Sequence, residues 1–192
     1  MILKNLSRIW SNDQIRKKIL FTLGIIAVYK LLSVIPVPGV NIGALTNLEK
    51  LMQANQGLGF FSALMGGGLK QFSIILMGLS PYINATIIVQ LLGVVIPQIE
   101  ALKKEGASGQ KKIDQYTRWL TLPLALAQSY GMILLLNTLL GSGVKLINTS
   151  DFLGTMLPAM VIITAGTLFL MWLGEIINES GIGNGSSLII FA

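Results

Sequence analysis

Few residues in this sequence can do chemistry, and their types exclude more than they offer. Glu175 and Glu179 stand four positions apart, so a helix sets both carboxylates on one face, as an acid–base pair requires. Histidine and cysteine are absent. That removes imidazole proton transfer, thiolate nucleophiles, disulfides and zinc sites with the usual ligands. With no second acidic cluster beside the glutamates, no catalysis, metal or cofactor is expected. Lys30 lies alone in an apolar run, either as an anchor that snorkels to the surface or as a buried cation with a partner. Around Pro81, Ser80 and Asn84 share one helical face, and Tyr82, Thr86 and Gln90 share another. Leu79, Ile83 and Ile87 form a third stripe, wholly apolar. Two readings stay open. The polar stripes join helices while the apolar one meets lipid or a neighbour, or the helix lines a water-accessible path with a hydrophobic constriction. Gly181, Gly183 and Gly185 alternate around Asn184 and permit positive φ and a sharp turn. No strand precedes them and no lysine follows, so this is not a phosphate-binding fingerprint.

The elements that hold these residues are apolar. The chain has 192 residues, 53% hydrophobic and 11% charged, with mean hydropathy +0.72. A soluble domain carries roughly 25% charged residues. The expected fold is all-α, a multi-spanning membrane helix bundle in one domain. A span needs about 20 apolar residues. Ile19–Val37, Phe72–Pro97, Trp119–Leu140 and Phe152–Ile177 qualify, and a fifth run opens at Leu188 and ends with the chain at Ala192. The chain therefore reads as part of a larger whole. A kink is expected near Pro81 in the second span. The run Ile19–Val37 ends in Pro36-Val37-Pro38-Gly39, which suits a retained span better than a cleaved signal peptide. Leu58–Leu69 is apolar, too short to cross, and holds Gly66, Gly67 and Gly68.

Charge sets the orientation. With residues 1–18 in the cytoplasm, ten of the fourteen Lys and Arg fall on inside segments and three, Lys50, Lys70 and Lys145, fall outside. The loop 98–117 and the turn 178–187 are then cytoplasmic, and 141–151 is external. The net charge of +6 is accounted for by topology signals facing anionic lipid, so the bilayer is the expected partner and no specific nucleic acid is needed.

Four strings resemble the SecY family of protein-conducting channels: IPVPGV (Ile35–Val40), LSPYINATIIVQLL (Leu79–Leu92), KKEGASGQKKIDQYTRW (Lys103–Trp119) and MWLGEIINESGIGNGSSLIIF (Met171–Phe191). Their order and spacing match over nearly the whole chain. The resemblance implies the first half of a ten-span fold and a pore between two halves, closed by a ring of aliphatic side chains. Ring members would be Leu79, Ile83 and Ile190; Ser186 stands where many relatives carry a further aliphatic residue. Phe60, Phe61, Leu64, Met65, Gly66, Gly67 and Gly68 would belong to the plug that seals the outer funnel. Asn84, Ile87 and Gln90 would stand at a lateral gate, and Gly181, Gly183, Asn184 and Gly185 would form a signature turn. The implied function is conduction of unfolded secretory polypeptides across, and membrane segments into, the cytoplasmic membrane. The implied partners are SecE and SecG, the ATPase SecA, the ribosome and signal sequences. A secondary transporter with a broken helix at Gly181–Ser187 is the rival reading. All eight acidic residues, however, lie outside the spans or at their ends.

Overall fold

Asparagines and prolines set the helix starts. In the computed structural model, which describes residues 12–64, 68–141 and 143–192, the Asn12 side chain accepts from the Gln14 N–H at 3.1 Å and opens α1, Asp13–Val34. Asn41 accepts from the Gly43 N–H at 2.9 Å and opens α2, Ile42–Ala54. Helix α3 is Gln56–Leu64. Pro81 sits in the first turn of α4, Ser80–Val95, and Pro97 opens α5, Pro97–Lys104. The missing proline N–H costs nothing at those positions. Helix α6, Ala107–Leu140, is the longest. A π-helical turn, Phe152–Met156, leads into α7, Leu157–Ser180, and Asn184 caps α8, Gly185–Phe191. Among the described residues the only ladder contact is a single antiparallel bridge between Pro36 and Ser73.

Helix α6 packs on α4, α5 and α7, and α7 also packs on α1 and α8. Two buried clusters result. One joins Val37, Leu48, Phe72, Leu76, Ile133 and Ile163; the other joins Ile25, Tyr29, Leu79, Leu170, Ile177 and Ile189. Much of the outer surface is apolar. Leu31, Val94, Val95 and Leu153 are 69%, 80%, 77% and 76% exposed. A soluble protein hides such patches, whereas lipid accepts them.

Ala107–Leu140 and Phe152–Ser180 are long and apolar enough to cross a membrane, and Ser80–Val95 with Pro97–Lys104 adds a third if that pair, bent by 102°, is one span. The sequence alone suggests four full spans. Helix α1 has the length, 22 residues or about 33 Å, but it carries Asp13, Arg16, Lys17, Lys18 and Lys30.

Three expectations need correction. The second apolar run is not helical from Phe72: residues 68–79 form successive turns and the helix starts at Ser80. Pro81 therefore begins a helix and does not kink one. The turns are held by Phe72, at φ +47 and fully buried, whose carbonyl accepts from the Val37 N–H at 2.9 Å, and by Ile74, whose N–H donates to Ile35 at 3.0 Å. The backbone approaches α7 where Gly166 leaves room; a methyl there would lie 2.0 Å from the Ile74 carbonyl oxygen. Non-helical backbone at membrane depth is tolerated because it is buried in protein. Next, the polar stretch 98–117 is not a loop. It is α5 and the first turns of α6, folded into a hairpin at Gly106, φ +69. Lastly, residues 42–54, left without an element on the sequence, form α2. Its buried side is Ala44, Leu48 and Met52, a four-residue spacing that the sequence displays.

Candidate functional site

Helix α4 sorts its side chains by size. Pro81, Ala85, Val89 and Gly93 are buried, and this narrow stripe lets the helix lie close to its neighbours. The apolar stripe expected to be continuous is divided. Leu79 is 4% exposed, in the cluster with Tyr29 and Ile189, while Ile83 and Ile87 are open at 37% and 49%. The Ile83 N–H donates to the Leu79 carbonyl at 2.9 Å, placing the two on consecutive turns. Ile190 on α8 is 48% exposed, beside Ile189, which is buried. Of the three residues expected in an aliphatic ring, two face outward and one faces the protein interior.

The polar stripe is more sharply placed. Tyr82, Thr86 and Gln90 line one wall of a cleft of about 300 Å³, and Lys103 of α5 with Gln110, Ile113, Asp114 and Thr117 of α6 line the other. The Lys103 ammonium donates to the Gln90 carbonyl at 3.1 Å. A methyl on Gly93 would lie 2.5 Å from that nitrogen, so the glycine makes room for the lysine. Asn84 is half-buried. On the short helix α3, Phe60 is 67% exposed and Ser62 is buried. Phe61 and Leu64 lie on its backbone; Met65, Gly66 and Gly67 lie outside the described residues. Gly68 is buried and its carbonyl accepts from the Ser73 N–H at 2.9 Å.

The glycine turn is built for close approach more than for unusual φ. Only Gly183 of the three has positive φ, at +79. A methyl on Gly185 would lie 2.0 Å from the Gly174 carbonyl oxygen, and one on Gly181 would lie 2.8 Å from both the Ile177 carbonyl and the Thr22 hydroxyl. Asn178 accepts from the Gly185 N–H at 2.7 Å, Asn184 from Ser187 at 3.1 Å, and Thr22 of α1 from the Ile182 N–H at 3.2 Å. The turn thereby ties α1, α7 and α8 together. Ser186 lies over α7, its hydroxyl 3.7 Å from where a Gly174 methyl would sit. Neither Thr22 nor Asn178 stands out on the sequence as a site residue. Asn178 is near the turn and could have been suspected as a cap. Thr22, 160 positions from Ile182, carries no local signal.

The paired carboxylates do not act as a pair. Arg118 donates through Nε to Glu175 at 2.8 Å, fastening α6 to α7, and Glu175 is mostly sheltered while Arg118 is half-exposed. An acid–base dyad needs two carboxylates facing a shared substrate; here one of them serves a helix contact.

An apolar exterior, helices of crossing length and buried non-helical backbone define an all-helical integral membrane protein. Known proteins narrow this further. The SecY family model matches residues 73–192. The chain is 45% identical over 190 residues to a protein translocase subunit SecY of Streptomyces scabiei, covering 96% of this chain and 44% of that protein. It is 45% identical over 187 residues to the Corynebacterium glutamicum protein of the same name (95% and 42%) and 44% identical over 193 residues to that of Micrococcus luteus (99% and 44%). The chain belongs to the SecY family. It spans less than half the length of these relatives.

Proposed function

We propose that this chain supplies one side of the channel of a Sec protein translocase, a route for unfolded polypeptides across the membrane and for apolar segments sideways into lipid. The observation that carries the reading is the open apolar face Ile83–Ile87, on a helix inside the family match. Exposed aliphatic side chains can close around a passing chain without binding it tightly, and an apolar constriction limits ions by dewetting. Ile83 and Ile190 would meet the passenger directly; Leu79, buried behind them, would support the ring from the protein side. Leu58–Leu69 would form the plug, a segment too short to cross the bilayer and so displaceable at modest cost. Asn84, Ile87 and Gln90 would border the lateral gate.

In this reading the protein sits in the cytoplasmic membrane with its N-terminus inside, and the α5–α6 hairpin projects into the cytoplasm. SecE and SecG would complete the channel, and SecA or the ribosome would supply the driving force. Conduction of this kind requires no catalytic group in the chain.

The test uses the full-length protein in its assembled complex. Ile83→Asn should place an amide in the constriction, raise ion leak, and allow export of a reporter carrying a weakened signal sequence. Unchanged leak together with unchanged signal selectivity would contradict the assignment. Deleting Leu58–Leu69 should raise leak more than it lowers export; a tight but inactive channel would show that this segment is structural.

A further inference from the structure

We propose that the cleft between α4, α5 and the start of α6 seats the headgroup of a zwitterionic phospholipid bearing a phosphate diester and a primary ammonium. The proposal rests on α6 crossing the bilayer and is independent of the channel reading. The depth is right for a headgroup. Helix α6 has 34 residues, about 51 Å, against a hydrocarbon core of about 30 Å, so its polar first turns stand clear of the acyl region. Tyr116 and Trp119, 51% and 70% exposed, flank Thr117 in the cleft wall, and such rings favour the membrane–water interface.

The charges suit a zwitterion. Lys103 gives one of its three N–H groups to the Gln90 carbonyl at 3.1 Å, leaving two to donate to a phosphate. The Asp114 Oδ1 atom accepts from Gln110 at 2.8 Å, leaving Oδ2 for an ammonium. Among the described residues, Lys104 pairs with Glu100 at 2.7 Å and Lys112 with Glu105 at 3.7 Å, while Lys111 forms no ion pair and does not line the cleft. Lys103 and Asp114 form no ion pair there, yet both line one cleft. The Tyr82 and Thr86 hydroxyls offer further polar contacts. Leu120 and Leu124 of α6 lie one and two turns beyond Thr117 towards the membrane interior and are half-buried, an apolar surface for the acyl chains below the cleft. A choline headgroup lacks the N–H donors that Asp114 would accept, and a glycerol headgroup lacks the cation.

Native mass spectrometry of the 192-residue chain, purified in detergent with graded phosphatidylethanolamine, phosphatidylcholine or phosphatidylglycerol, tests this. One phosphatidylethanolamine should be retained with about tenfold preference over either other lipid, the scale of one charged hydrogen bond. Lys103→Gln and Asp114→Asn should each erase the preference, and Lys111→Gln should preserve it. Circular dichroism checks folding of each variant, and Asp114→Asn stands alone if Lys103→Gln unfolds. Equal retention of the choline lipid, stronger retention of phosphatidylglycerol, or variants that keep the preference would overturn the proposal. Soluble glycerophosphoethanolamine binding as tightly as the lipid would overturn the lipid assignment in favour of a free phosphate compound.

Discussion

At Gly185 the Gly174 carbonyl oxygen occupies the place a side chain would take, only 2.0 Å from an ideal methyl. That oxygen is backbone on a packed helix and cannot step aside without moving α7. Gly185→Ala should therefore cost at least about 2 kcal/mol, in the range of overpacked cores, read as a lowered unfolding midpoint in detergent. A variant as stable as the parent would show that the turn is loosely seated. Gly183→Ala, whose methyl would meet only Leu188 Cδ1 at an ordinary 3.9 Å but sit at φ +79, should cost about 1 kcal/mol from conformation alone. Arg118→Gln breaks a contact whose arginine is half-exposed, 51%, and should cost under about 1 kcal/mol; a larger loss in the same unfolding measurement would mark that pair as a main fastener of α6 to α7. Glycine spacing is legible in a sequence, but what each glycine touches is not. Gly181 and Gly185 look like flexible turn residues until Ile177, Gly174 and Thr22 are brought up against them.

Helices show the same division between pattern and placement. The long apolar runs at 119–140 and 152–177 were readable because hydrocarbon demands length and nothing else. The run 72–97 was equally apolar, yet its first third is turns, because buried bonds to Ile35 and Val37 satisfy the backbone from outside the segment. No local pattern announces that exchange. The polar stretch 98–117 reads as a loop because glycines interrupt it, whereas Gly106 forms the bend between two helices and Gly109 lets them touch, a methyl there falling 1.8 Å from the Leu102 carbonyl oxygen. The hairpin predicts topology. Lys111→Cys, introduced into a chain that has no cysteine, should react with a membrane-impermeant maleimide in inside-out vesicles and stay unlabelled in intact cells. Labelling from outside would reverse the orientation.

For the molecule as a whole, family membership was legible from four strings, because their order and spacing extend over nearly the whole chain. The α4 face was only half legible. Its stripe of Leu79, Ile83 and Ile87 is visible as a period of four, but the burial of Leu79 at 4% beside Ile83 at 37% depends on Tyr29 and Ile189, which arrive from α1 and α8. The chain covers about 44% of its Streptomyces scabiei relative, so any conduit must be examined in the complete protein. The most direct measurement puts a single cysteine at Ile83 of the full-length, assembled protein and a photo- or thiol-reactive probe in a secretory polypeptide stalled midway through export. The account predicts crosslinking to position 83, and none to a cysteine at Ala85 on the buried side of the same helix. Efficient export with no adduct at position 83, or equal adducts at both positions, would contradict it.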